Sequence, residues 1–324
     1  MYSVEAKSVN EGKIVKLDAN ESPVGAYNRY PEMGSLGLRS LLARQRQVDI
    51  SNVMLGNGSD ELIDLAVRAI CKPGKDAVMV YEPCFSMYRR IAQINDVNCY
   101  KAAFGDLLID DLAELCIRAN ERCKLMFLCS PNNPTGEIIP RTSIEFILKN
   151  FEGIVVLDEA YIEFSEEPSA LDLISKYDNL LVLQTMSKAR AMAGIRIGFA
   201  FGHPHVISAM LKIQMPYSIS VLNQGEAKRV LEKESLMTDM ISEMRTERDK
   251  LLSFLKQLPY VNKIFKSHAN FLCIQLDNAE EIYGYLMENG ILVRKLEIEN
   301  RAHLRISIGT KEENDLLIKT LKAK

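Results

Sequence analysis

Between residues 52 and 202, six short apolar runs alternate with longer helical patterns. The runs are "NVMLGNG", "AVMVYEP", "KLMFLCSP", "GIVVLDEA", "NLLVLQTMS" and "IRIGFAFG". They are too short for buried helices and rich in β-branched and aliphatic residues, so they read as strands. Strands alternating with helices predict an α/β fold with a mainly parallel sheet covered by helices on both faces. One intervening helix is "SDELIDLAVRAI". Ser59 fits its N-cap, acidic residues fill its first turn, and Pro73-Gly74 follow its end.

The first five runs each end in a polar cluster: "GNGSDE", "EPCFSMY", "SPNNPTG", "DEAY" and "TMSK". Sites in such sheets form at the carboxyl ends of the strands, so five clusters should converge on one edge. After about residue 215 the pattern changes. A long amphipathic helix carries Met237, Met240, Ile241, Met244, Leu251, Leu252 and Leu255 at helical spacing, which predicts packing. Further strands and a helix follow. They predict a smaller α+β domain of residues 216–324, joined by residues 1–26, beside a large domain of residues 27–215.

Composition narrows the function. The 324 residues are 47% hydrophobic and 26% charged, with a formal net charge of −3. That balance argues against coating nucleic acid or binding an acidic membrane surface. No run is long enough to span a bilayer, and the start lacks a signal-peptide layout, so the cytoplasm is the expected location. Seven cysteines without C-x-x-C spacing are no disulfide framework, and four histidines without H-E-x-x-H give no metal site.

Taken singly, the clusters stay ambiguous. "GNGSDE" offers free N–H groups at Ser59 and Asp60, an anion cradle or a plain capped turn. Asp158, at the end of a buried run, is a structural ion-pair partner or a functional acid. "NNPTG", around Asn133, is a turn by composition. Phe85 and Tyr161 read as core or rim aromatics. Lys188 follows a buried strand, between the hydroxyls of Thr185 and Ser187 and a glycine-containing segment with Arg196. It either reaches for the surface or is consumed by chemistry. Together the clusters suit one ligand with a phosphate, an aromatic ring, a ring nitrogen for a buried carboxylate and an aldehyde for a lysine. Pyridoxal 5'-phosphate has all four.

The ordered series "LDANESP", "NRYP", "GNGSDE", "SPNNPTG", "VVLDEAYIEF", "SKARAMAGIRIG" and "LRISIGT" resembles the fold-type I pyridoxal-phosphate-dependent aminotransferases nearly end to end. Its wording is most similar to their histidinol-phosphate branch. That resemblance implies a large cofactor-binding domain and a smaller mobile one. It implies that L-histidinol phosphate and 2-oxoglutarate are interconverted with imidazole acetol phosphate and L-glutamate, a step of histidine biosynthesis, by a ping-pong route. By the same resemblance Lys188 forms the Schiff base and moves the proton, and Asp158 pairs with the ring nitrogen. Asn133 and Tyr161 hold the ring oxygen, and Phe85 stacks on the ring. Ser59, Asp60, Ser187, Arg196 and Thr185 hold the phosphate. Tyr30 of "NRYP" reaches the phosphate from a second subunit, which implies a homodimer. Arg305, Arg294 and Tyr2 bind substrate. Two departures stand out. Only "VGAY" separates Pro23 from Asn28, a shorter linker than usual, and Arg190 replaces an aromatic after "SKA".

Threonine-phosphate decarboxylases and aromatic amino-acid aminotransferases share the lysine and aspartate and remain alternatives. A ligand-binding regulator on the same fold would carry a basic DNA-binding segment, and none precedes "LDANES".

Overall fold

The computed structural model describes residues 15–103, 109–233 and 235–324. Seven strands form the larger sheet: β1 (Val53–Asn57), β2 (Ala77–Glu82), β3 (Asn98–Ala103), β4 (Cys123–Cys129), β5 (Ile154–Asp158), β6 (Leu180–Thr185) and β7 (Ile197–Gly202). Their spatial order is β1-β7-β6-β5-β4-β2-β3. Pairing is parallel except along β7, which runs antiparallel to both β1 and β6.

The central strands are buried on both faces, which is why they read as continuous apolar runs. Side chains alternate between two cores. Met126, Leu128 and Leu157 face one, with residues of α1 (Leu36–Arg46) and α5 (Arg141–Asn150). Leu125, Phe127 and Val156 face the other, with α2 (Gly58–Ile70) and α3 (Met87–Ile94). Helix α4 (Ile109–Asn120) joins the first core through Leu112 and Cys116, and α6 (Pro204–Ile213) joins the second through Ile207 and Met210. Asn57, not Ser59, occupies the N-cap of α2, and Ser59 lies in the first turn. Strand β3 was not evident among the six apolar runs. It is an edge strand with mostly exposed residues, so its sequence lacks the buried signature.

A second sheet contains β8 (Val261–Ile264), β9 (Phe271–Leu276), β10 (Arg294–Ile298) and β11 (Arg301–Ser307), in the order β10-β11-β9-β8. It is antiparallel throughout. Its core takes Leu251 and Leu255 from α8 (Ser235–Leu255), Ile282 and Leu286 from α9 (Ala279–Glu288), and Leu317 and Leu321 from α10 (Lys311–Lys322). A reciprocal Thr310–Glu313 capping box starts α10. Helix α7 (Val221–Leu231) lies on the large unit, burying Ala227 and Leu231 in its core. The expected limit at residue 215 falls before that helix.

The two units meet beside the convergent strand ends. Ala160, Tyr161, Phe164 and Ala189 of the large unit pack with Ile241 of α8 and with Ala269 and Phe271. Met237 and Met244 pack against the same cluster, as their spacing predicts. A Cβ on Gly136 would lie 2.2 Å from Ser267 Oγ, and His268 N donates to Gly136 O at 2.7 Å. The turn after β4 therefore seats the second unit by close backbone approach.

Candidate active site

The carboxyl ends of β1, β4, β5 and β6 lie on one edge of the large sheet. The amino end of antiparallel β7 joins them, because Asn57 registers with Ile197 and Thr185 with Gly198. The polar clusters meet there.

At one corner, Arg196 Nη2 lies 3.4 Å from Asp60 Oδ2, and Arg196 Nη1 donates to Ser187 Oγ at 3.5 Å. Gly58, with φ of 78°, leaves room for the guanidinium; a Cβ there would stand 2.4 Å from Arg196 Nη2. A Cβ at Gly198 would stand 2.6 Å from Ser59 N. The two glycines thus bring a guanidinium, a serine hydroxyl and the first turn of α2 together. Cation, hydroxyl and helix N-terminus make a cradle for a phosphate. Thr185 is committed locally. Its Oγ1 accepts from Ser187 N at 3.1 Å and bonds Ile197 O at 3.2 Å, so it shapes the turn carrying Ser187 and Lys188.

Deeper in, Asp158 is buried and has no cationic hydrogen-bond partner among the described residues. Ala160 N donates to its Oδ1 at 3.0 Å, and Tyr88 Oη donates to its Oδ2 at 2.6 Å. Burial pushes its carboxyl above the usual range, against the pull of those donors. A protonated ring nitrogen is the partner such a carboxylate lacks. The residues present therefore fit pyridoxal phosphate at both ends of the molecule.

Lys188 stands between these corners, its Nζ 5.4 Å from the centroid of the Tyr161 ring. Burial lowers its pKa, and the charge of Arg305 lowers it further, while Asp158 and Asp60 oppose. Asn133 Nδ2 donates to Tyr161 Oη at 3.3 Å, and Arg305 Nη1 donates to Asn133 Oδ1. Arg305 thus reaches from β11 across to the turn after β4. Its guanidinium lies 5.3 Å from the Phe271 ring centroid. Arg294 starts β10, is exposed, and registers directly with Arg305. Residues paired in that way project from the same face of a sheet.

Phe85 is half-buried, with its ring 5.6 Å from Tyr88 in an edge-on arrangement. Tyr88 itself was not singled out by the motifs. The only signal is its spacing of one helical turn from Phe85. Tyr30 is not brought into this cluster. It is 57% exposed and stacks on Tyr217 at 4.6 Å. Tyr2 lies outside the described residues. Arg190 is neither a free charge beside Lys188 nor a solvent-facing one. It is buried, ion-paired with Glu163, and lies 5.9 Å from the Phe199 ring centroid.

The family model for aminotransferase class I and II matches residues 11–321. The chain belongs to that family. A histidinol-phosphate aminotransferase of Parabacteroides distasonis is 44% identical, across 99% of this chain and 94% of that protein. Among solved structures, a histidinol-phosphate aminotransferase from Sinorhizobium meliloti, in complex with pyridoxal-5'-phosphate, superposes with a TM-score of 0.82 at 22% identity. The match covers 91% of this chain and 83% of that one. An L-threonine-O-3-phosphate decarboxylase from Porphyromonas gingivalis superposes with a TM-score of 0.80, also at 22% identity, over 92% of this chain and 90% of that one. These structures establish the fold-type I arrangement of this aminotransferase, and they show that the fold alone does not choose between the two reactions.

Proposed function

We propose that this aminotransferase moves the amino group of L-histidinol phosphate to 2-oxoglutarate, giving imidazole acetol phosphate and L-glutamate, and so serves histidine biosynthesis. The observation that carries the reading is the register pair Arg294 and Arg305, in addition to the separate cradle for the cofactor phosphate at Ser187 and Arg196. Two guanidiniums on one face suit an enzyme that holds a phosphate in one half-reaction and a dicarboxylate in the other. The 44% identical relative bears the corresponding name.

Pyridoxal phosphate, when bound, supplies an aldehyde with which amines condense and a ring that accepts electrons from the carbon losing its proton. Lys188 Nζ is the amine that anchors it. With the cofactor and substrate bound, Lys188 Nζ would be the group that takes the proton from the substrate Cα and gives it back within the site. Its lowered pKa favours the neutral, basic form needed for that work. Asp158 keeps a proton on the ring nitrogen. Asn133 and Tyr161 would hold the ring oxygen, and Phe85 would cover the ring. The first turn of α2 at Ser59 and Asp60, with Ser187 and Arg196, holds the phosphate. Arg305 exchanges Asn133 for the acid group of the substrate.

The second subunit in this reading is another copy of the chain. Val24, Tyr27, Tyr30, Met215, Val221 and Leu222 are all exposed, and the stacked Tyr30 and Tyr217 join the N-terminal part of that surface to the part before α7. Exposed apolar residues of this kind suit a protein partner. A homodimer would cover them and carry Tyr30 toward the partner's phosphate corner. Among the described residues no helix is long and apolar enough to cross a membrane. The seven free cysteines suit the reducing cytoplasm.

The test is a single turnover of the cofactor-loaded protein with L-histidinol phosphate alone. The visible absorbance of the bound cofactor should be lost and then restored by 2-oxoglutarate. Carbon dioxide release from O-phosphothreonine without this conversion would move the protein to the decarboxylases. Conversion by phenylalanine alone would move it to the aromatic aminotransferases.

A further inference from the structure

We propose that Tyr88 is the positioning residue that orients Asp158 and holds it ionised, and so keeps the proton on the cofactor's ring nitrogen. The proposal rests on the reading of Asp158 as the partner of that nitrogen.

The geometry is specific. Tyr88 is 1% exposed and sits in the first turn of α3. Its ring stacks on Phe127 at 4.8 Å and 6°, so it has little freedom to turn. Its hydroxyl donates to Asp158 Oδ2 at 2.6 Å, while the backbone N–H of Ala160 takes Oδ1. The carboxylate is pinned at both oxygens, one by its own loop and one by α3, which packs on the face of the sheet that Asp158 shares with Val156. Each oxygen keeps a second lone pair, so Asp158 can still accept from a ring nitrogen. The same tyrosine meets Phe85 edge-on, and Phe85 is the residue read as covering the ring.

The chemistry follows from competition for one proton. A buried carboxylate without donors is a strong base and would draw the proton off the ring nitrogen onto its own oxygen. A hydroxyl donor stabilises the ionised carboxylate and weakens it as a base. The proton then rests on the nitrogen, where its charge helps the ring accept electrons. Tyr88 touches neither substrate nor reacting carbon and acts only through Asp158.

Tyr88→Phe removes one oxygen and keeps the ring that packs on Phe127. The first readout is the ring-nitrogen NMR signal of 15N-labelled pyridoxal phosphate in the loaded protein. It should sit at the protonated position in the unaltered protein. It should move toward the unprotonated position in Tyr88→Phe, and fully there in Asp158→Asn. The second is the affinity of the cofactor-free protein for pyridoxal phosphate, compared with its deaza analogue, whose ring has carbon in place of nitrogen. Preference for the nitrogen-containing ring should fall about tenfold in Tyr88→Phe. A protonated signal in Tyr88→Phe would overturn the proposal. So would equal weakening of both ligands, which is what a packing role alone would produce. If Asp158→Asn changed neither readout, the underlying reading of Asp158 would fail instead.

Discussion

Arg294 and Arg305 stand opposite each other across β10 and β11, and only Arg305 is engaged, by Asn133 and the face of Phe271. Neither hydrogen bond nor ion pair holds Arg294 among the described residues. The two should therefore separate kinetically. Arg294→Met should raise KM for histidinol phosphate about tenfold or more and leave the 2-oxoglutarate half-reaction within about twofold. Arg305→Met should impair both. Rapid-mixing measurements of each half-reaction check this, and equal losses from Arg294→Met in both halves would remove its phosphate assignment.

Lys188→Ala should cut turnover by about a thousandfold or more while the chain still folds. A subtler result concerns its neighbour. Burial and then Arg305 depress the Lys188 pKa, so the amine is neutral at lower pH than an ordinary lysine. Removing the Arg305 charge should move the pH profile of Lys188 acylation upward in the cofactor-free protein. Peptide mapping after competitive labelling reads that profile. An unchanged midpoint would show that burial alone sets it.

Glu159 offers a test of stability against pH. Burial pushes its carboxyl up to about 7, although Ser169, Ala170 and Gln184 donate to it. The folded chain therefore keeps a proton that the unfolded chain releases near the ordinary value of 4.5. That contribution to stability is complete below the unfolded value and is lost as pH rises through about 7. Asp158 has the same sign in the cofactor-free protein. Glu159→Gln should flatten this part of the profile with little other cost. Gln184 Oε1 has no partner among the described residues, so the Gln184 amide can flip to accept from the new side chain. Urea unfolding of the cofactor-free variant at several pH values gives the answer.

The Arg190–Glu163 pair should behave as a buried ion pair. Its side chains are 1% and 13% exposed, and Arg190 Nη2 and Glu163 Oε2 lack partners among the described residues. Glu163→Ala strands the guanidinium and should cost about 3 kcal/mol. Replacing both, as Arg190→Phe with Glu163→Leu, should recover most of it, because a ring at position 190 can pack on Phe199. Melting temperatures of the three variants decide it.

Much of this arrangement is legible in the sequence because a parallel sheet writes itself plainly. Lys188, Asp158 and Asn133 each follow an apolar run, and parallel pairing places the ends of such runs together. What could not be read has physical causes. Strand β3 is an exposed edge and lacks an apolar run. Tyr88 belongs to an amphipathic helix, where a tyrosine signals packing, and its bond to Asp158 depends on how α3 settles on the sheet. Arg190 finds Glu163 through two loops distant in the chain. Tyr30 faces outward in a single chain, so its role depends on a surface that one sequence does not contain.

The reversed direction of β7 has a geometric consequence. A strand running the other way would have had to begin at the far edge, with a long crossover before it. Instead the segment from Lys188 to Arg196 leaves and re-enters the sheet at the same edge, anchored by β6 and β7. Their pairing works as a ruler. Thr185 is paired with Gly198, and Met186 N donates to Ile197 O, so the register of β6 and β7 sets how far the lysine nitrogen stands from the guanidinium, and so which length of cofactor can bridge them. An extra residue within the loop can bulge outward, but a one-residue slip of β7 against β6 would alter that distance and turn the side chains of β7 to the other face.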